Sequence, residues 1–167
     1  CVTGGGGSIG SELSRQVIEL NAKKIILIDN CEHNLYNIYQ ELSENLLLKE
    51  KVIPILGDVT NKKLVNQFIE KYEVEVIFHA AAYKHVPLVE CNPIAGLINN
   101  VLSTFVLCEA ARDNKISQFV LISTDKAVRP TNIMGATKRF AEMILQAETN
   151  EEIGTKMTTV RFGNVVG

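Results

Sequence analysis

The chain has 167 residues, of which 46% are hydrophobic and 22% charged, a composition typical of one globular domain with a sizeable core. Its net charge of −2 indicates no general attraction to nucleic acid or to an anionic membrane surface. No uninterrupted apolar run approaches the ~18–20 residues that a membrane-spanning helix needs, and there is no signal-peptide pattern.

The four cysteines, Cys1, Cys31, Cys91 and Cys108, lie at wide spacings and form no metal-binding pattern with histidine, so no metal site is predicted. Such cysteines are typical of a reducing cytosol, where thiols act as small apolar side chains. We therefore expect a cytoplasmic domain that makes no membrane contact of its own. Any membrane anchor of a longer parent protein would lie outside this segment.

Apolar runs alternate with helix-period segments along the whole chain. Strands are predicted at 2–3, 25–28, 52–56, 76–78, 119–123 and 158–162, and helices at 9–20, 35–46, 61–72, 93–112 and 132–147. The strands are continuously apolar, which indicates burial on both faces. We expect one Rossmann-type domain over residues 1–167, a doubly wound parallel sheet with helices on both faces. The two ends read as cuts through a larger protein, so a substrate-binding C-terminal region is expected beyond residue 167.

A glycine-rich segment, TGGGGSIG, joins the first strand to the first helix at Thr3 to Gly10. In this context such a loop lets a dinucleotide pyrophosphate approach the backbone and the positive end of the helix. The spacing can be read from Gly4 through Gly7 to Gly10, or in a shifted register that begins at Gly5. The alternative is a flexible glycine turn that binds nothing.

Acidic and small residues follow the next three strands. Asp29 ends the second strand 19 residues after Gly10, where a carboxylate accepts hydrogen bonds from the adenosine ribose. No Arg or Lys follows it directly, which favours NAD over NADP. The alternative for Asp29 is a solvated charge at a strand end. Contacts to the cofactor are predicted for the glycine loop, these strand ends and the last helix: Thr3, Gly4, Gly7, Ser8, Ile9, Gly10, Asp29, Asp58, Val59, Ala80, Ala81 and Lys138.

The fifth strand ends in STDK, Ser123 to Lys126, and the following helix carries Met134 and Lys138 four residues apart on one face. This arrangement resembles the short-chain dehydrogenase/reductase superfamily, which has a Ser or Thr at the end of strand five and a YxxxK motif on the next helix. In that superfamily the Lys holds the nicotinamide ribose and lowers the pKa of the proton-transferring Tyr. The Tyr position here is Met134, which cannot transfer a proton.

The complete pattern resembles one branch of the extended superfamily, the polysaccharide-biosynthesis (CapD-type) nucleotide-sugar 4,6-dehydratases, in which Met at the Tyr position is common. The resemblance spans the chain and rests on five segments: 3–10, 81–87, 123–130, 132–138 and 161–165. It implies internal redox chemistry on UDP-N-acetylglucosamine or a similar UDP-hexosamine. NAD takes a hydride from C4, a base removes the C5 proton, water leaves from C6, and the hydride returns to C6.

By position, the resemblance makes Lys126 the C5 base, Asp125 the acid at C6, Thr124 the group that binds the C4 oxygen and Lys138 the ribose contact. The proton of the C4 hydroxyl would go to Thr124, a water molecule or Asp125. Lys126 must be neutral and Asp125 protonated, which we expect burial and neighbouring charge to achieve. The structural alternatives are a Thr124 cap, a surface ion pair between Asp125 and Lys126, and a solvated Lys138.

Substrate contacts are predicted for Lys84, Asn100 and Asn164, although a buried amide is an equal alternative for Asn100. The preferred function is therefore a UDP-sugar 4,6-dehydratase for bacterial surface polysaccharide, homo-oligomeric in the full protein. A UDP-sugar 4-epimerase of the same superfamily is the nearest alternative, but it needs no acid/base pair at C5 and C6. A non-catalytic dinucleotide-binding module is the alternative from another class, which Met134 keeps open.

Overall fold

A computed structural model describes residues 1–149 and 154–163, and these contain one six-stranded parallel sheet. The strands are β1 (Val2–Thr3), β2 (Ile25–Asp29), β3 (Val52–Leu56), β4 (Val76–His79), β5 (Gln118–Thr124) and β6 (Lys156–Phe162). Their spatial order is β3-β2-β1-β4-β5-β6. This order confirms the predicted Rossmann-type architecture and places its switch point between β1 and β4, where such sheets bind ligands.

Helices connect the strands. They are α1 (Ser8–Glu19), α2 (Glu32–Ser43), α3 (Leu46–Lys49), α4 (Lys62–Tyr72), α5 (Val86–Cys91), α6 (Pro93–Leu97), α7 (Ser103–Asp113) and α8 (Ile133–Glu148). A π-helical turn, Ile98–Leu102, joins α6 to α7, and a 3₁₀ turn, Asp125–Ala127, follows β5. The start of α8 has the expected capping chemistry, because Asn132 Oδ1 accepts a hydrogen bond from Gly135 N at 2.7 Å.

Two local expectations were wrong. The helix predicted over 35–46 ends at Ser43, and a separate short helix begins at Leu46. The six-residue helix α5 lies where no helix was predicted. The long helix predicted over 93–112 is confirmed over Pro93–Asp113, but the π turn within it was not predicted. Both features are too short to produce a distinct hydrophobic period, since a single turn adds at most two apolar positions.

Core side chains alternate between the two faces of the sheet. Ile26 and Ile28 pack with α4, α7 and α8, whereas Ile25 and Leu27 pack with α1 and α2. The expected burial of both faces fails at the edge strand β3, where Pro54 and Leu56 are exposed. An edge strand tolerates proline because one side of its backbone needs no hydrogen-bonding partner.

The segment Pro93–Asp113 forms 21 residues of continuous helix, long and apolar enough to cross a membrane by length and composition alone. Polar residues interrupt it, which is why no uninterrupted apolar run was found in the sequence. Of its most apolar stretch, 56% is buried inside the domain, as in the core helix of many water-soluble proteins. The segment is therefore weak support for membrane contact.

Candidate functional site

The glycine loop between β1 and α1 is tightly packed against β4. Gly4 has a φ of +65°, and a Cβ there would lie 2.7 Å from the Ala81 backbone. A Cβ on Gly10 would lie 1.9 Å from Gly4 O. Gly5 has no comparable conflict, since a Cβ there would meet its neighbours at 3.3 Å. The geometry therefore favours the register that begins at Gly4 over the shifted one.

Asp29 closes the second side of the loop. The residue is 9% exposed. Its Oδ2 accepts a hydrogen bond from Gly6 N at 3.0 Å, and its Oδ1 accepts one from Cys31 N at 2.9 Å. Asp29 is therefore not the solvated strand-end charge of the alternative interpretation. Because each carboxylate oxygen can accept more than one hydrogen bond, Asp29 can shape the loop and still receive a ribose hydroxyl.

Two cavities meet at this loop. One, of about 240 Å³, is lined by predicted cofactor residues from the carboxyl ends of four strands: Gly4, Gly7, Asp29, Asp58, Val59, Ala80 and Ala81. The other, of about 590 Å³, lies over the start of α1 and includes Ser8, Ile9, Gly10 and Lys84 in its lining. Both cavities contain Gly7 and Ala80, so an elongated ligand can run from Asp29 across the loop toward α5. The residues present thus fit a dinucleotide.

Other predicted cofactor residues have additional structural roles. The Thr3 side chain is fully buried and bonded to His79, so it supports the loop from below. Asp58 Oδ1 accepts hydrogen bonds from both the backbone N–H and the hydroxyl of Thr60, each at 2.8 Å, and so holds the turn before α4. It remains in the lining of the first cavity.

Of the three predicted substrate residues, the described part of the chain contains two, Lys84 and Asn100. Lys84 Nζ lies 3.2 Å from Ser8 Oγ, beside the glycine loop, which favours a contact to the cofactor phosphates over one to the sugar. Asn100 is 1% exposed, and its amide holds the backbone of Tyr83 through hydrogen bonds of 2.7 and 3.0 Å. It is the buried amide of the alternative interpretation. Asn164 lies outside the described residues.

The predicted reactive turn stands at the carboxyl end of β5. Thr124 Oγ1 accepts a hydrogen bond from Lys126 N at 3.4 Å and donates one to Asp125 Oδ1 at 3.0 Å. Helix α8 begins directly against this turn, since a Cβ on Gly135 would lie 2.4 Å from Lys126 O. The turn is therefore in direct contact with the start of the helix that carries Met134 and Lys138.

The expected burial of the acid/base pair is not present in this structure. Lys126 Nζ lies 3.8 Å from Asp125 Oδ1, and their side chains are 42% and 58% exposed. Exposure of this extent leaves both groups solvated, so the desolvation that we expected to neutralise them does not come from the described part of the chain. The expected burial of Lys126 and Asp125 is therefore wrong for the described part of the chain.

Lys138 contrasts with this pair. It is 6% exposed, and its Nζ donates a hydrogen bond to Ile122 O on β5 at 2.6 Å. Burial lowers the pKa of Lys138 to about 8, although the nearby Glu142 carboxylate partly opposes this effect. Met134 is also buried. The alternative of a solvated Lys138 is therefore wrong, and an ammonium with three donors can still reach a ligand at this position.

An ionic cluster behind the site was not predicted. The Glu142 side chain is fully buried and accepts hydrogen bonds from Arg161 at 2.7 and 2.8 Å, Ser123 at 2.7 Å and Arg139 at 3.0 Å. Burial by itself would raise the pKa of Glu142, but these donors lower it to about 2. The cluster joins α8 to β5 and β6. Its only sequence signal is Glu142 at a core position of an amphipathic helix.

Comparison with known proteins resolves the family. The family model described as "Polysaccharide biosynthesis protein" matches residues 1–167, the whole chain. The chain belongs to this family. The predicted resemblance to the CapD-type branch is thereby confirmed.

Relatives of this polysaccharide-biosynthesis family member carry more than one activity in their names. The capsular polysaccharide biosynthesis protein CapD of Staphylococcus aureus is 46% identical over 99% of the chain and 28% of its own length. A UDP-glucose 4-epimerase of Rickettsia canadensis is 34% identical, and a UDP-N-acetylglucosamine 4,6-dehydratase (inverting) of Campylobacter jejuni is 30% identical. The chain covers 48% of each of these two. It thus spans half or less of the curated relatives it matches.

Solved structures agree with the fold. Pen from Bacillus thuringiensis superposes with a TM-score of 0.90 at 31% identity, over 98% of the chain and 50% of Pen. DesIV, a dTDP-glucose 4,6-dehydratase from Streptomyces venezuelae solved with NAD and TYD bound, gives 0.85 at 23% identity, over 96% of the chain and 54% of DesIV. The family member therefore shares the Rossmann-type fold of these two proteins.

Proposed function

We propose that the protein containing this chain is an NAD-dependent 4,6-dehydratase acting on UDP-N-acetylglucosamine or a similar UDP-hexosamine, for surface polysaccharide synthesis. The observation that carries the proposal is the Asp125–Lys126 pair, presented at the carboxyl end of β5 and packed against the helix that carries Lys138. An epimerase needs no acid and base at adjacent carbons beyond C4. Family membership supports this class of chemistry.

The cofactor assignment rests on the fit of the loop and on Asp29. Gly4 and Gly10 allow the pyrophosphate to reach the start of α1, and Lys84 beside Ser8 adds a positive charge there. Asp29 without an adjacent cation favours an unmodified ribose and therefore NAD over NADP. DesIV, which shares the fold, was solved with NAD bound. When bound, the nicotinamide supplies the redox chemistry, taking a hydride from sugar C4 and returning it at C6.

In this proposal the exposed ion pair is the state before substrate binds. A sugar placed over the turn removes water from both groups, which disfavours both charged forms. Transfer of one proton from Lys126 to Asp125 then leaves a neutral amine beside a neutral acid. The proton of the C4 hydroxyl leaves to water. Lys126 Nζ takes the C5 proton, and Asp125 protonates the C6 hydroxyl as it leaves as water. Lys126 then returns a proton to C5 as the hydride reaches C6, and proton exchange with water restores the ion pair. Thr124 holds the C4 oxygen, and Asn164 contacts the sugar or its diphosphate.

The test uses the full-length protein with UDP-N-acetylglucosamine in D₂O. A product lighter by one water and carrying deuterium at C5 supports dehydration, whereas an isomeric UDP-sugar supports the epimerase. Absence of turnover with intact NAD binding would indicate a non-catalytic module. Lys126→Ala is expected to lower elimination by roughly 10²–10⁴-fold, the usual contribution of a general base, with NAD affinity unchanged. Lys156→Ala, an exposed lysine at the start of β6, is the matched control. Full turnover by the Lys126 variant would remove Lys126 from the mechanism.

We also propose that the full protein is a cytoplasmic-facing homo-oligomer. Large apolar side chains are exposed along α6, the π turn, α7 and α8: Ile94, Leu97, Ile98, Leu102, Phe105, Phe140 and Met143. An exposed apolar surface of this kind is typical of a protein–protein interface. Sedimentation of the full-length protein as a monomer at micromolar concentration would contradict the oligomer.

A further inference from the structure

His79 lies at the centre of a line of buried hydrogen bonds between the cofactor loop and the catalytic helix. Its Nδ1 is 2.6 Å from Thr3 Oγ1 and its Nε2 is 3.1 Å from Thr104 Oγ1. All three residues are at most 1% exposed. We propose that His79 is a positioning residue, a neutral Nε2–H tautomer whose hydrogen-bond chain fixes the glycine loop relative to Met134 and Lys138. The catalytic part of this inference rests on the proposed function.

The donor and acceptor of each bond in this hydrogen-bond chain follow from its end at Thr104. Thr104 Oγ1 donates its single hydrogen to Asn100 O at 2.8 Å, so toward His79 it can only accept. Nε2 must therefore carry the proton, which leaves Nδ1 to accept from the Thr3 hydroxyl. Thr3 Oγ1 in turn accepts from Ala81 N at 3.4 Å. Ser103 does not alter this assignment, because its hydroxyl donates to Asn99 O and it too can only accept from Nε2.

The chain continues from Asn100 to α8. Asn100 lies in the π turn. Its side-chain oxygen accepts a hydrogen bond from Tyr83 N, and its side-chain nitrogen donates to Tyr83 O and to Thr137 Oγ1, the latter at 2.9 Å. The Thr137 hydroxyl in turn donates a hydrogen bond to Met134 O at 2.7 Å. One line of directed hydrogen bonds therefore runs from Thr3, directly before the glycine loop, to the residue in the tyrosine position of α8. The loop that carries Lys84 is held by the Asn100 side chain through its two hydrogen bonds to Tyr83.

The surroundings of His79 exclude its charged form. Burial lowers the pKa of His79 to about 3, and the Lys138 ammonium contributes in the same direction. The imidazole is therefore neutral wherever the protein works, and the polarity of the chain does not reverse. His79 is thus suited to hold geometry and unsuited to donate a proton to substrate. Because buried, fully satisfied networks specify one arrangement, breaking one bond should misplace both ends.

The test compares Thr104→Val with Thr104→Ser in the full-length enzyme. Valine keeps the volume but removes the acceptor for Nε2–H and the donor to Asn100 O; serine keeps both. We expect kcat of Thr104→Val to fall by roughly 10–100-fold, the cost of an ångström-scale misplacement, while KM and NAD affinity change by less than about threefold. Thr104→Ser should remain near wild type. Thr155→Val is the control, because it removes another buried threonine hydroxyl that takes no part in the hydrogen-bond chain of His79. Equal kcat for the valine and serine variants would overturn the positioning role.

A second measurement does not depend on the reaction. Long-range ¹H–¹⁵N correlations of histidine-labelled protein, assigned through contacts to Thr3 and Thr104, should show a protonated Nε2 and a bare Nδ1 from pH 5 to 8. A protonated Nδ1, or titration in that range, would overturn the assignment. Faster amide exchange of Tyr83 in Thr104→Val supports the chain even if wild-type protein turns over no UDP-sugar, an outcome that would refute only the proposed function. Unchanged Tyr83 exchange in that case would overturn the inference.

Discussion

Replacing Glu142 by glutamine should destabilise the domain strongly, because three donors converge on this buried carboxylate. The pKa of Glu142 is lowered from 4.5 to about 2, which corresponds to about 3 kcal/mol of stabilisation. Removing one partner of a fully buried ion pair typically costs about 3–5 kcal/mol. Here the arginines left behind are 38% and 42% exposed, so we expect a loss at the lower end of that range. Glutamine keeps the volume and loses the charge that Arg161 and Arg139 require.

The pH dependence has a definite sign. A carboxylate whose pKa is depressed on folding stabilises the native state above its unfolded value and loses that contribution as the pH falls toward its folded value. The difference in unfolding free energy between wild type and Glu142→Gln should therefore be constant from pH 5 to 7. It should narrow as the pH falls below 4.5 toward 2.

Pulse-labelling hydrogen exchange across a urea series can report this difference in the full-length protein, through peptides that cover β5 and β6. Glu41→Gln is the matched control, since Glu41 also pairs with an arginine, Arg15, but is 48% exposed. Exposed pairs contribute about 0.2–1 kcal/mol, so this variant should differ little from wild type. A loss for Glu142→Gln as small as that for Glu41→Gln, or one that does not narrow at low pH, would refute the reasoning.

Two further predictions concern the loop and the helix of the site. Asp29→Asn places an amide N–H against Gly6 N or Cys31 N, two groups that can only donate. Calorimetry should therefore show NAD binding about 10–100-fold more weakly. The ratio of the NADP and NAD dissociation constants should also become smaller. Asp113→Asn, at an exposed carboxylate, is the control, and wild-type affinity in Asp29→Asn would contradict the role of Asp29. Glu90→Ala removes the carboxylate that accepts from Ile133 N at 2.6 Å, the first N–H of α8. Loss of such a cap costs about 1 kcal/mol, so the Ile133 amide should exchange about fivefold faster, whereas Glu70→Ala should leave it unchanged. Unaltered exchange in Glu90→Ala would show that Asn132 alone caps the helix.

The positions of the glycine loop and of Asp29 could be predicted from the sequence because their signals are local. The backbone at positions 4 and 10 leaves no room for a side chain, so both must be glycine, and Asp29 is the last residue of a strand. The spacing of these residues in the sequence therefore predicts where they lie in the fold. The same holds for the sheet, whose apolar strands alternate regularly with helices. Where the fold departs from expectation, at α5 and the π turn, the segments are too short for periodicity to register.

The support of the site could not be predicted because it joins residues distant in sequence. His79 contacts Thr3 across 76 positions and Thr104 across 25, and no spacing rule connects them. Glu142 meets Ser123 and Arg161 each 19 positions away, on different strands. In a sequence such residues read as ordinary polar positions, and only burial shows that each must be satisfied.

Asp125 and Lys126 show why recognising a motif differs from knowing its chemical state. Adjacent residues at a strand end could be identified from the sequence, yet their protonation depends on what covers them, and in the described chain they are solvated. Lys138, twelve residues further, is buried by its own domain and has a lowered pKa without any ligand. The domain therefore prepares Lys138 and the glycine loop in advance. In the proposed mechanism the substrate completes the acid/base pair, so we expect elimination at C5 and C6 only when a sugar lies over the turn.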